Sequence, residues 1–142
     1  MWLAVHRRCL TANNLERRNW PSNGVCPMCS AEPETCSRLF VHCSFSNQVW
    51  ARFKAWARAD FQIPDNTFST TEDWWLKARA VIPKQMRRNF DTIAILLHWR
   101  IWKKRNARIF DNVASSPDKV RDLILEDIDV WRSAGCINDL AP

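Results

Sequence analysis

Five residues between positions 26 and 43 have the side chains and the spacing that a bound zinc ion requires. Cys26 and Cys29 form a Cys-x2-Cys pair, and Cys36, His42 and Cys43 follow 7, 13 and 14 residues after Cys29. Two thiolates at this spacing can hold one Zn²⁺ at about 2.3 Å, because the intervening turn aims backbone amides at the sulfurs. The further thiols and the imidazole supply enough donors for a tetrahedral site. We therefore expect a zinc-stabilised turn in this segment.

The spacing leaves the fourth ligand open. On an unbroken α-helix the Cα atoms of Cys36 and Cys43 would lie ~10.5 Å apart along the axis, which is too far for one ion. His42 and Cys43 are adjacent and point in different directions on a helix, so both can bind only at a helix end or in a loop. We expect Cys26, Cys29 and Cys43 to be three of the ligands, and His42 or else Cys36 to be the fourth.

A second group of candidates lies between residues 99 and 108, where basic residues alternate with tryptophan. Five positive charges fall within nine residues: Arg100, Lys103, Lys104, Arg105 and Arg108. Positions 100, 104 and 108 share one helix face, and Trp99 and Trp102 flank it. Cations that bind phosphate beside rings that stack on bases are typical of contact with single-stranded nucleic acid. We predict RNA or DNA as the partner; the alternative is a solvated helix face whose tryptophans pack inward.

Charge is distributed unevenly along the chain. The 142 residues include 21 Lys and Arg against 15 Asp and Glu, a formal net charge of +6. Residues 1–110 contain 18 basic and 8 acidic side chains, a net charge of +10, whereas residues 111–142 contain 3 basic and 7 acidic, a net charge of −4. A basic body with an acidic tail favours contact with phosphate or with a neighbouring domain of a polyprotein.

The composition argues against an enzyme. The chain contains 2 glycines, too few for a phosphate-binding loop or a dinucleotide fingerprint. The adjacent acid pairs, Glu72-Asp73 and Glu126-Asp127, fall on predicted surface helices, where acidic residues serve the helix dipole and solubility. We therefore expect no catalytic residues and no small-molecule substrate.

Neither a membrane span nor secretion is predicted. No apolar run approaches the roughly 18 residues that a span needs, and Arg7 and Arg8 follow the short apolar start on the wrong side for a signal peptide. We expect the reducing environment of the nucleus or cytoplasm, where cysteines are metal ligands or thiols and disulfides are rare. The competing interpretation, that cysteines are small buried apolar residues, is the one we prefer for the isolated Cys9 and Cys136.

Hydrophobic periodicity predicts an all-α fold, a small helical bundle with a zinc-knuckle insertion. A short helix begins at Glu34-Thr35, and longer helices cover 45–57, a stretch that begins near Thr71 and ends before Pro83, and 84–109. Ser116-Pro117-Asp118, an N-cap followed by proline and an acid, starts the last helix. The expected core positions recur at spacings of three and four: Phe45, Val49, Phe53 and Trp56; Phe90, Ile93, Ala94, Leu97 and Ile101; and Val120, Leu123, Ile124, Ile128 and Trp131.

Together these motifs resemble a known family. The cysteine segment is similar to the zinc-binding domain that follows the reverse transcriptase in plant LINE-type retrotransposons, through Cys26-Pro27-Met28-Cys29, Glu34-Thr35, Leu39-Phe40, Cys43 and Val49-Trp50. The segment from Trp99 to Phe110 resembles the sequence that often trails this domain before an RNase H domain. The resemblance implies a reverse-transcriptase-type zinc-binding domain over residues 1–60 and a trailing helical segment over 61–142. Because Trp2 follows Met1 without a capping residue, we expect the first domain to be truncated at its N-terminus.

One departure from the family bears on the metal. The position where the family usually has a histidine ligand is occupied by Arg38, and arginine stays protonated and cannot bind zinc. The resemblance therefore implies a Zn²⁺ site that is weak, lost or completed by a substitute ligand. It also implies RNA or DNA, and a retroelement reverse transcriptase or RNase H domain, as partners. The alternative is a metal-free structural or protein-interaction remnant of the same polyprotein.

Overall fold

A computed structural model describes residues 28, 37–57, 60–65, 67–111, 115–135 and 137. These residues form four α-helices: α1 (Ser44–Ala57), α2 (Thr71–Ala80), α3 (Arg87–Phe110) and α4 (Pro117–Ser133). A π-helical turn (Arg38–His42) precedes α1, and a 3-10 turn (Lys84–Met86) leads into α3. No strand occurs in the described part of the chain, so the predicted all-α class is confirmed there. Of the zinc knuckle expected between residues 26 and 43, residues 26, 27 and 29–36 lie outside that described part.

Local capping chemistry fixes the ends of two helices. At α2 the Thr70 hydroxyl accepts a hydrogen bond from the Asp73 backbone N–H over 3.1 Å, and the helix begins at the next residue, Thr71. At α4 the Ser116 hydroxyl accepts from the Lys119 N–H over 3.2 Å, and Pro117 occupies the first turn, as predicted. Beyond α4, Gly135 has a φ of 79°, a conformation that L side chains rarely adopt.

The helices pack with α4 against both α1 and α3, while the π turn lies against α1 and α2. All five core positions predicted on α3 are buried, as are Val120, Ile124 and Ile128 on α4; Leu123 and Trp131 are half-buried. The prediction for α1 is correct at Phe45, Val49 and Phe53 and wrong at Trp56, which is 45% exposed. Trp56 lies at the C-terminal end of α1, with the centre of its ring 6.0 Å from that of Phe53. Trp50, which the pattern did not select, is buried in the core.

An aromatic core, defined here as Trp50, Phe61, Trp74, Phe90 and His98, occupies the centre of the described residues. The rings of Trp50 and Trp74 meet at 4.9 Å, and both lie within about 6 Å of the imidazole of His98. His98 is buried, and its Nδ1–H donates to the Ala94 carbonyl oxygen over 2.7 Å. Burial lowers the pKa of His98 to about 4, although the hydrogen bond to Ala94 opposes the shift. The imidazole is therefore neutral at pH 7.

One hydrophobic cluster runs from Met28 to Ile137 and includes side chains from both sides of residue 60. The predicted division of the chain at this residue stays a prediction. Among the helices that the structure describes, none combines the length and the apolar character needed to cross a bilayer.

Candidate functional site

The ligand-bearing turn, Arg38–Cys43, places two of the predicted metal ligands at the boundary between two helical elements. Its π-helical part ends at His42, and Cys43 has extended backbone torsions, φ −67° and ψ 126°. The Cys43 carbonyl then accepts from the Asn47 N–H over 3.0 Å, which opens α1. Side chains on either side of such a break do not follow helical spacing. The break therefore meets the condition under which His42 and Cys43 could bind the same ion.

The imidazole of His42 has one nitrogen occupied and one without a partner. Its Nε2 lies 2.6 Å from the Phe68 carbonyl oxygen, and since a carbonyl only accepts, the proton of this hydrogen bond belongs to Nε2. In the neutral ring Nδ1 then carries a lone pair, and this atom is buried without a hydrogen-bond partner among the described residues. Histidines that bind metals usually donate their other ring N–H to a carbonyl or carboxylate in this way.

Two sulfur-containing side chains from the cysteine segment belong to the hydrophobic cluster. Cys43 is 3% exposed, and Met28, which lies between Cys26 and Cys29 in the sequence, is 6% exposed. The N-terminus of α1 beside Cys43 favours negative charge, such as that of a metal-bound thiolate. Cys26, Cys29 and Cys36 lie outside the described residues, and within those residues no three candidate ligands come together.

Hydrogen bonds tie the ligand-bearing turn to its surroundings. The Ser46 hydroxyl donates to the Leu39 carbonyl oxygen over 2.6 Å in a buried contact. The side-chain amide of Asn47 lies 2.8 Å from the carbonyl oxygens of Val41 and Pro64, and donates to both when its nitrogen faces them. Together with the His42–Phe68 bond, these contacts hold the turn between α1 and the loop residues Pro64 and Phe68 without a metal.

Arg38, at the position of the missing histidine, is exposed. It therefore leaves the buried side of the turn to Leu39, Phe40 and Val41. Its guanidinium provides no lone pair for a metal.

The basic residues predicted to contact nucleic acid are divided between the interior and the surface of α3. The Arg100 guanidinium forms a two-pronged ion pair with both carboxylate oxygens of Asp127 on α4. This hydrogen bonding raises the pKa of Arg100 above its ordinary value, despite partial burial. Arg100 thus joins α3 to α4 and is largely withdrawn from solvent.

The remaining four basic residues differ in exposure. Lys104 and Arg105 are buried, and Arg105 stacks on Trp102 at 4.9 Å. Burial lowers the pKa of Lys104, and the positive charge of Arg108 adds to the effect. Lys103 is exposed, with its Nζ 5.5 Å from the centre of the Trp99 ring, and Arg108 is half-buried. The predicted stripe at 100, 104 and 108 is therefore not one uniformly solvated face.

Two functional partners were not identified from the sequence. Asp127 was interpreted as part of a solvated acidic pair, yet it neutralises Arg100. The signal was present in the opposite net charges of residues 1–110 and 111–142, which favour pairing within the molecule. The acceptor for His42, a backbone carbonyl 26 residues away, carries no sequence signal, since every residue has one.

A family model described as zinc-binding in reverse transcriptase matches residues 1–50. The matched stretch contains all five predicted metal ligands and ends inside α1. The match supports a zinc-binding domain of the reverse-transcriptase type in this first part of the chain. No curated protein and no solved structure matches the chain.

Proposed function

We propose that the chain is a non-catalytic, zinc-binding module of a retroelement reverse transcriptase, in which Cys26, Cys29, Cys43 and His42 hold one Zn²⁺. The ion would fix the cysteine loop against the helices and perform no chemistry, since a closed four-ligand site has no open position for substrate. The observation that carries the proposal is the His42 ring, whose Nδ1 lone pair is buried without a partner among the described residues while Nε2 is fixed by the Phe68 carbonyl oxygen. The family match over residues 1–50 supports the same metal.

The zinc proposal predicts one Zn²⁺ per chain in protein purified without chelator, measured by atomic absorption. The double substitution Cys26→Ser/Cys29→Ser should abolish the bound zinc. His42→Gln should weaken binding about 10- to 100-fold or more in competition with a chromogenic chelator, because it removes one donor. Cys136→Ser is the matched control and should leave the stoichiometry unchanged.

Two further variants distinguish the substitute ligands. If Cys36 is the fourth ligand, Cys36→Ser will release zinc and His42→Gln will not. Arg38→His restores the usual family ligand at an exposed position. With His42 already in place, we expect it to change zinc affinity little. A large gain would indicate that the natural site has three donors.

The second candidate function, a metal-free structural remnant of the same polyprotein, is favoured by one observation. Arg38 stands where the family has a ligand and cannot replace it. Absence of zinc from protein that is folded by circular dichroism would favour this alternative over the zinc proposal.

We further propose that the module contacts RNA or DNA in the polyprotein. The support is the composition of α3, in which Arg87, Arg88, Arg100, Lys103, Lys104, Arg105 and Arg108 accompany a single acidic residue, Asp91. Phosphate contacts release counterions, so affinity should fall steeply with salt. Fluorescence anisotropy with a labelled oligonucleotide at increasing salt tests this; no binding at low salt, or binding that ignores salt, would contradict it.

A further inference from the structure

The outward face of α3, defined here as Arg88, Thr92, Ile95, Trp99, Lys103 and Ile109, is unusually apolar for a solvent-facing surface. Ile95 is 43% exposed, Trp99 is 52% exposed and Ile109 is 42% exposed. The opposite side of α3 is buried in the bundle, and the solvent side of such a helix is normally polar. Large apolar side chains aligned on that side mark a contact surface.

The charge on this face is positive. Arg88 and Lys103 are both exposed, and the Nζ of Lys103 lies 5.5 Å from the centre of the Trp99 ring. The one carboxylate of the helix, on Asp91, accepts hydrogen bonds from Arg79 Nε at 3.1 and 3.2 Å and from Trp75 Nε1 at 3.0 Å. Because that acid is already paired, the face favours an anionic partner.

The interior basic residues of α3 are less accessible than this outward face. Arg100 is paired with Asp127, and Lys104 and Arg105 are buried, so an incoming strand would have to break internal contacts or expose buried cations to reach them. Stacking on Trp99 breaks no ion pair and only requires the Nζ of Lys103, which lies over the ring at 5.5 Å, to move aside. A half-exposed indole beside a lysine offers a ring for a base and a charge for a phosphate within one turn of helix.

We propose that the outward face of α3 binds single-stranded nucleic acid, with Trp99 stacking on a base and Lys103 and Arg88 contacting phosphates. The inference rests on the nucleic-acid contact proposed above and assigns it to residues adjacent to the stripe at 100, 104 and 108. A single strand fits better than a duplex because its unpaired bases expose the ring faces on which an indole can stack.

The test titrates the full chain into fluorescein-labelled dT12 and U12, following anisotropy at 25 mM and higher salt. Trp99→Ala should raise Kd roughly tenfold or more, and Trp99→Phe should retain most of the affinity because a ring remains. Lys103→Gln should reduce the salt dependence by about one phosphate contact. Trp56→Ala, another exposed tryptophan, and Lys119→Gln, another exposed lysine, are the matched controls and should bind as the wild type does.

The outcomes separate this inference from the broader proposal. If the wild-type chain fails to bind either oligonucleotide at low salt, the nucleic-acid function itself is wrong. If it binds and Trp99→Ala binds equally well, or only Arg100→Gln impairs binding, the function stands and the outward face is the wrong site. If sedimentation shows a wild-type dimer that Trp99→Ala converts to monomer without changing oligonucleotide affinity, the face is a self-association surface and the inference is overturned.

Discussion

The aromatic core and the ligand-bearing turn lie side by side in the molecule and are held by different interactions. The core depends on ring packing, with Trp50 and Trp74 fully buried. The turn depends on a few directional hydrogen bonds from His42, Ser46 and Asn47 to backbone carbonyl oxygens. Apolar packing tolerates small displacements, whereas hydrogen bonds and metal ligands do not. The bundle should therefore fold by packing its own interior, and a bound metal should stabilise mainly the turn.

The largest effect should come from removing a ring at the centre of the core. Trp50→Ala should lower the free energy of unfolding by about 3–5 kcal/mol, because it leaves a cavity among Phe61, Trp74 and His98. The Nε1 atom of Trp50 has no hydrogen-bond partner among the described residues, so the loss measures packing. Urea denaturation followed by circular dichroism gives the value. Trp56→Ala, at an exposed position of the same helix, should cost less than ~1 kcal/mol; similar losses in both variants would refute a core centred on Trp50.

Acid should weaken the core through His98. Its folded-state pKa is about 4, below the value near 6.5 expected for the unfolded chain, so between these values the unfolded state binds a proton that the folded state excludes. Stability from this group is complete above pH 6.5 and falls as the pH decreases toward 4, by at most about 3 kcal/mol.

The control for the acid effect is His98→Phe, which keeps a ring and removes the titration. Urea midpoints measured from pH 7 to pH 4 should fall more steeply for the wild-type chain than for this variant. Parallel curves would mean that the imidazole can be protonated without leaving the core.

The sequence predicted the core better than the turn for a physical reason. The apolar residues of α3 recur at helical spacing from Phe90 to Ile101, and burial follows directly from that period. Trp56 fits the same kind of pattern on α1 but is exposed near the C-terminal end of the helix, and periodicity does not indicate where along a helix the packing partners end. Trp50 falls off the stripe through Val49 that the pattern selects, so periodicity does not predict its burial.

The ligand-bearing turn was predictable in composition and not in geometry. The cysteine and histidine spacing identified His42 and Cys43 as candidates, and it stated that both could serve only at a helix end. The break between them depends on a π-helical turn and on carbonyl acceptors at Leu39 and Phe68. Backbone acceptors are supplied by the fold and leave no trace in residue identity.

A smaller effect is expected from the hydrogen bond that closes the turn. Ser46→Ala removes the donor to the Leu39 carbonyl oxygen, a buried contact of 2.6 Å, and leaving that acceptor unsatisfied should cost about 1–3 kcal/mol. Because the bond positions the segment that precedes Cys43, we expect the variant to lose zinc affinity as well as stability. Ser44→Ala, an exposed serine in the same helix, is the control and should change neither quantity. If the free energy of unfolding falls and zinc affinity does not change, the Ser46–Leu39 hydrogen bond does not position the metal ligands.

The smallest loss of stability is expected from removing an ordinary helix cap, which lies outside the ligand-bearing turn. Ser116→Ala removes the hydroxyl that accepts from the Lys119 N–H at the start of α4 and should cost about 1 kcal/mol. This backbone N–H is at a solvent-facing helix end, so water can replace the lost partner, as it cannot at Leu39. Zinc affinity should not change, since α4 contributes no proposed ligand, and Ser115→Ala should leave stability near the wild-type value. If Ser116→Ala costs more than Ser46→Ala in the same urea assay, the hydrogen bonds of the ligand-bearing turn stabilise the molecule no more than an ordinary helix cap does, and the turn does not depend on them as proposed.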